Sequence, residues 1–109
     1  MPRWLRAVLT RTRELALARN VLFTLKARRE LASLEFGLDE QDACDVLANL
    51  SAEDSAGRLK SLGTLEWAYV FKPRLAETVL YVKLILRNHC VVVSFHEDEG
   101  EGHEDEDDA

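Results

Sequence analysis

The stretch EWAYVFKPRLAETVLYVKLILRNHCVVVSFH, residues Glu66 to His96, decides the fold. Side chains alternate across a β-strand with a period of two, and the middle of this stretch alternates cleanly. Leu80, Val82, Leu84 and Leu86 fall on one side, and Tyr81, Lys83 and Arg87 on the other, with only Val79 and Ile85 diluting the polar side. Three antiparallel strands are predicted, near 66–72, 78–86 and 90–96, joined by a connection containing Pro73 and a turn at Asn88-His89. With Asn88 and His89 as the two central turn residues, Arg87 faces Cys90, and counting back sets Lys83 against Ser94 and Tyr81 against His96. The same register pairs Leu84 with Val93 and Val82 with Phe95. Val91, Val93 and Phe95 then take the apolar side, which leaves Cys90, Val92, Ser94 and His96 opposite. A slip by one residue would set core residues against polar ones, so the pattern supports this register independently of the turn.

Toward the N-terminus the period changes to that of helices. Residues 3–19 suit a helix, with Trp4, Leu5, Val8, Leu9 and Leu15 as its apolar stripe and five arginines elsewhere on its surface. Val21 to Leu25 reads either as a short edge strand or as the start of the next helix. From about Leu25 the chain reads as helix through Phe36, and Gly37 is placed to end it in a left-handed conformation. Asp39 caps another helix, with Asp42 three residues on completing a capping box, and Ala43, Val46, Leu47 and Leu50 form the buried stripe. Ser51 and Asp54 repeat the start signal for a short helix or turn. Gly57 to Thr64 reads as a loop carrying Arg58 and Lys60. The fold class is α+β, with N-terminal helices packed on one face of a small antiparallel sheet that ends in a C-terminal hairpin.

A chain of 109 residues makes one domain, and 47% apolar residues is ordinary for a globular one. The net charge of −6 misleads, because the last fourteen residues, His96 to Ala109, hold nine of the acids and no Lys or Arg. The remainder has 11 acidic and 14 basic residues, a body of about +3. A mildly basic domain over 1–96 therefore carries an acidic tail over 97–109, which has almost nothing to bury and is expected to be disordered. Cys44 and Cys90 lack Cys-x-x-Cys spacing and the three histidines are scattered, so no metal or other cofactor is expected. Arginines interrupt the first apolar residues before a secretory core forms, and no run approaches a membrane span. A reduced, cytoplasmic setting follows, with the cysteines as core residues.

Three blocks of residues resemble the MqsR family of bacterial toxins, the toxin halves of type II toxin–antitoxin modules. They are Gly37-Leu38-Asp39 through Leu50-Ser51 with Asp54, then Glu66-Trp67 through Tyr69-Val70-Phe71-Lys72-Pro73-Arg74, then Leu80-Tyr81-Val82-Lys83 with Val93-Ser94-Phe95. The resemblance implies a RelE-like fold and a metal-independent endoribonuclease acting on messenger RNA. It also implies a cognate antitoxin of the MqsA-like, helix-turn-helix kind, which leaves the toxin itself with no direct DNA binding. By the same resemblance the strand tyrosine falls on Tyr81, the basic residue after Val-Ser-Phe on His96, and the arginine after proline on Arg74. The family's usual glutamine after the strand tryptophan is here Ala68. Its usual lysine after the Ser-x-x-Asp segment falls near Gly57, with Arg58 or Lys60 as substitutes.

Metal-free RNA cleavage needs a base for the 2′-hydroxyl proton, cations for the charged phosphorane, and an acid for the leaving 5′-oxygen. Histidine exchanges protons near neutral pH, which lysine does only after a large downward shift of its pKa. His96, Tyr81 and Arg58 are the candidate catalytic residues, and Arg74, Lys72, Lys83 and Lys60 the candidate RNA contacts. Plain readings stand beside these: a solvated strand-end histidine, a cross-strand packing tyrosine, and a solvated cationic face. Trp67, Tyr69 and Phe71 share one parity and read as core. The tail could fold back on the cationic groove as a phosphate mimic, although a solubilising tail without contacts is the simpler expectation. Two rival functions stay open. One is a binding module with the same fold and no catalysis, for which Ala68 and the missing lysine are the evidence. The other is an interaction domain whose tail recruits a basic partner.

Overall fold

The computed structural model describes residues 1–35 and 37–100. Helix α1, Arg3–Leu17, buries Leu5, Val8, Thr12, Leu15 and Ala16 at helical spacing. The chain reverses through Arg19, at φ 58°, into strand β1, Val21–Phe23, so the first of the two readings of this segment holds. Helix α2, Leu25–Ala32, starts where Thr24 Oγ1 accepts from the Ala27 amide at 3.1 Å. It stops short of the expected Phe36, because Ser33 ends it, donating its hydroxyl back to the Arg29 carbonyl at 2.9 Å. Gly37 follows at φ 75°, the left-handed conformation expected there.

Helix α3, Glu40–Ala48, opens on the anticipated capping box. The Asp42 amide donates to Asp39 Oδ1 at 2.8 Å and the Asp39 amide to Asp42 Oδ2 at 3.0 Å. The amide of Asp42 beside it holds the Asp39 carboxyl below the usual carboxylate range. A second box, Ser51 with Asp54, starts a single 3₁₀ turn over Ala52–Asp54.

Five more strands follow: β2, Ser55–Lys60; β3, Trp67–Phe71; β4, Arg74–Leu75; β5, Thr78–Leu86; and β6, Cys90–Glu97. The main sheet runs β1-β6-β5-β3-β2, and the short β4 pairs with β5 beside it. The three expected strands, β3, β5 and β6, form its antiparallel centre, while β1 joins β6 in parallel. Strand β2 corrects the loop expected over 57–64, since Arg58 pairs with Tyr69 and Lys60 with Trp67. Gly57, at φ 104°, and a register shift between Ser55 and Arg58 break the alternation that would have announced a strand.

The β5–β6 hairpin differs from the expected register in one half only. Leu80 pairs with Glu97, Tyr81 with His96, Val82 with Phe95 and Lys83 with Ser94. Beyond a bulge the partners become Leu84 with Val92, Ile85 with Val91 and Leu86 with Cys90, so Val93 is the extra residue. Three residues, Arg87 to His89, form the connection, closed by the Arg87 amide on the His89 carbonyl at 2.9 Å. The longer turn shifts the register by one and the bulge shifts it back. As a result Cys90 and Val92, expected on the polar side, lie in the core together with Phe95.

One hydrophobic cluster joins Leu5, Val8 and Leu15 of α1, Ala27 and Leu31 of α2, and Ala43 and Leu47 of α3 to Phe71, Leu80, Val82 and Leu84 of the sheet. Fully burying each of the Val, Leu and Phe side chains among them contributes roughly 1.5–3 kcal/mol. Both cysteines are free and buried, Cys90 within this cluster. Burial pushes the Cys90 thiol up to about 12, which makes it an inert core residue. Where β1 ends, α2 takes over the edge of β6, and Glu30 Oε1 accepts from the Phe95 amide at 2.9 Å. Strand β6 reaches Glu97, one residue into the acidic segment, and the Asp98 amide still donates to the Val79 carbonyl at 2.8 Å. Residues 101–109 of the expected tail lie outside the described residues.

Candidate active site on the outer sheet face

Alternation along β5 sends Leu80, Val82 and Leu84 under the helices and Tyr81 and Lys83 to the opposite, outer face. Pairing then places Tyr81 and His96 side by side, with ring centroids 5.0 Å apart and planes 13° from parallel. His96 Nδ1 lies 2.9 Å from the Glu97 carbonyl oxygen. A carbonyl only accepts, so this hydrogen bond puts a proton on Nδ1 and leaves Nε2 available for exchange. Lys72, one residue past β3, brings its Nζ to 6.0 Å from the Tyr81 ring and 3.4 Å from Asp98 Oδ1. A cleft of about 590 Å³ opens beside His96, walled by Arg29, Ser33, Thr78, Glu97 and Asp98.

Lys83 continues the outer face but is only 5% exposed. Opposite it, Ser94 Oγ accepts from Lys26 Nζ at 2.8 Å, and the same ammonium is 2.8 Å from Glu30 Oε2. Lys26 thus reaches this face from α2 around the edge of β6. A second cleft, about 480 Å³, is lined by Lys83 with Leu59, Lys60, Ala68, Ile85 and Val93.

Arg58 sits elsewhere. Its pairing partner Tyr69 stacks on Trp4 of α1 at 5.7 Å, which places both on the helix-covered side of the sheet. The Arg58 guanidinium carbon lies 3.9 Å from the Trp67 ring centroid and 4.7 Å from that of Trp4. Arg74, in β4, lines a third cleft with Asp42, Asp45 and Asp54 that shares no residue with the one at His96. The structure therefore gathers Tyr81, His96, Lys72 and Lys83 on one face, puts Lys60 at its rim, and sets Arg58 and Arg74 apart from it.

Residues 6–97 match the family model described as the motility quorum-sensing regulator, toxin of MqsA. The chain belongs to the MqsR toxin family. As an MqsR-family protein it is the toxin of a toxin–antitoxin system, and its general partner is an antitoxin. The comparison with curated proteins gives no match. The MqsR match spans every strand of the sheet and leaves out Trp4 and Asp98, two residues that touch the cations just described. Neither was singled out from the sequence, since Trp4 reads as part of an apolar stripe and Asp98 as one acid among many. Lys26 was missed as well, although its spacing of four from Glu30 on one helix face was the available signal.

Among the described residues of this MqsR toxin, no group of three or more His, Cys, Asp or Glu is placed to hold a metal ion. No helix among them is long and apolar enough to cross a membrane. Chemically, the outer face offers the His96 imidazole, a phenol stacked on it and the Lys72 ammonium, with Lys26 reaching it from α2 and Lys83 buried beneath it.

Proposed function

We propose that this MqsR-family toxin is a metal-independent endoribonuclease that cuts messenger RNA and so inhibits translation and growth. The observation that carries the reading is the near-parallel stack of Tyr81 on His96 with Lys72 alongside. In the proposed reaction the 2′-oxygen attacks the adjacent phosphorus as its proton passes to solvent, and the bond from phosphorus to the 5′-oxygen breaks. His96 protonates that 5′-oxygen, Tyr81 hydrogen-bonds and orients the phosphate, and Lys72 offsets the extra negative charge of the phosphorane. The products are a 2′,3′-cyclic phosphate and a 5′-hydroxyl. The proposed antitoxin is an MqsA-like helix-turn-helix protein, which carries the DNA contacts of the pair.

A second reading, a catalytically degenerate module that binds RNA or protein with the same fold, is favoured by Arg58. A cation counted on for catalysis is held between two indoles on the other side of the sheet. Purified protein incubated with a long unstructured RNA in EDTA, without ribosomes, separates the two. The nuclease cuts at a recurring short sequence, leaves 2′,3′-cyclic ends, and loses activity as His96→Ala. Folded wild-type protein that binds this RNA and leaves it whole, with and without ribosomes, supports the degenerate module.

A further inference from the structure

Arg58 is half-buried between two aromatic faces, yet its guanidinium has no hydrogen bond and no carboxylate partner among the described residues. The other arginines without a side-chain partner among the described residues, Arg3, Arg6, Arg29 and Arg74, are exposed to water, so only Arg58 is half-buried without a protein acceptor. Cation–π contact with two rings uses none of the N–H donors of a guanidinium, which remain a planar fork shaped for an oxyanion with two acceptor oxygens. The two ring contacts also hold that fork in place before any ligand arrives, which lowers the entropy lost on binding.

Lys60 connects this fork to the outer face. Its Nζ lies 5.0 Å from the Trp67 ring, and Lys60 also lines the cleft that holds Lys83. Lys60 and Arg58 thus set two cations along β2, the open edge of the sheet, next to the cleft that the buried Lys83 lines. Among the described residues, no acidic side chain lines that cleft. Cations interleaved with aromatic rings fit a single-stranded polyanion better than a folded acidic protein.

We propose that Arg58, clamped by Trp4 and Trp67, is a distal phosphodiester-binding site. A single RNA strand leaving the Tyr81–His96 face would cross the β2 edge past Lys60 and dock a backbone phosphate on the guanidinium fork. The inference rests on the RNA reading above and extends it to a second contact remote from the reacting bond.

Trp4 and Trp67 are the only two tryptophans of the chain, so tryptophan emission, excited selectively over the two tyrosines, reports on this site. The probe is an unstructured 2′-O-methyl RNA of about 12 nucleotides, within the usual reach of single-strand sites and unable to react. Binding is followed both by tryptophan fluorescence and by anisotropy of a label on the RNA, across a salt series. Wild-type protein is expected to change its tryptophan emission in step with anisotropy. Arg58→Met should bind about tenfold more weakly, with a salt slope shallower by about 0.7, the loss of one phosphate contact on a single strand. Arg58→Lys keeps the charge without the fork and should fall between the two, and melting temperatures of both variants verify folding. Unchanged affinity and salt slope in folded Arg58→Met would overturn the site while leaving the RNA reading intact. No RNA binding by the wild type removes both. RNA binding indifferent to Arg58, with loss of antitoxin binding in the variant, reassigns the fork to a protein carboxylate and overturns the proposal.

Discussion

Tyr81 and His96 face each other across β5 and β6 with their rings 5.0 Å apart and 13° from parallel. The phenol and the imidazole are thereby held by backbone pairing rather than by a loop, which fixes their separation. His96→Ala is expected to slow RNA cleavage by about 10²- to 10⁴-fold, the usual contribution of a positioned acid. Tyr81→Phe keeps the stacked ring and removes only the hydroxyl, so a loss of rate without loss of RNA affinity assigns the effect to that hydroxyl. His96→Lys should retain activity and move the alkaline limb of the pH–rate profile upward, because an ammonium keeps its proton to higher pH. Single-turnover rates across pH test all three.

Asp98 Oδ1 is 3.4 Å from Lys72 Nζ, and the Asp98 amide is tied to the Val79 carbonyl. A carboxylate is thus seated beside a cation of the proposed RNA face. Asp98→Asn should tighten RNA binding by roughly two- to fivefold at low salt, the scale of a partly exposed ion pair. The gain should fade as salt rises and screens the pair. Anisotropy titrations at two ionic strengths are sufficient, and equal affinity of mutant and wild type at low salt would contradict the idea.

Glu66 and Arg87 form a two-pronged ion pair, with Arg87 Nε and Nη2 donating to the two carboxylate oxygens at 2.8 Å each. The hydrogen bonds from Arg87 hold the Glu66 carboxyl below its usual range. A carboxylate with a depressed folded-state pKa stabilises above its unfolded-state pKa and loses that contribution as pH falls through the folded one. Wild type should therefore melt higher than Glu66→Gln at neutral pH, and the gap should close only below the ordinary glutamate range. Melting curves of both proteins from pH 7 downward give the comparison.

Thr12, on the buried stripe of α1, is fully buried and its hydroxyl has no partner in the described structure. An unsatisfied buried hydroxyl costs about 1–3 kcal/mol, and valine has nearly the same shape. Thr12→Val should raise stability by about 1 kcal/mol, read from the urea midpoint at unchanged m. A destabilised variant would mean that the hydroxyl is satisfied after all.

The alternation of β5 and the two capping boxes were legible because each is a local pattern with a short-range physical cause. Asp39 with Asp42 and Ser51 with Asp54 needed no tertiary contact to be recognised. Strand β2 was not legible, since Gly57 and the register shift beside it erase period two where it would have shown. That miss hid the placement of Arg58, because a loop residue has no face and a strand residue does. The first half of β6 misled for a related reason. Cys90-Val91-Val92-Val93 is apolar at every position, so nothing local says which pair points inward, and the turn length that decides it is set by Arg87 to His89 acting together. Trp4 beside Arg58 and Asp98 beside Lys72 are contacts between distant parts of the chain, which no local pattern encodes.

The extra residue at Val93 divides one strand between two kinds of selection. Before it, Cys90 and Val92 are wedged among core side chains, so substitutions there should register in abundance and melting temperature. After it, Ser94 is buried and bonded to Lys26, whereas His96 faces the open outer surface, and exchange of His96 can alter reactivity while Phe95 keeps the strand attached to the core. A lineage could therefore trade the histidine for another proton carrier without disturbing how the protein folds, provided the count of residues between the turn and Phe95 stays the same.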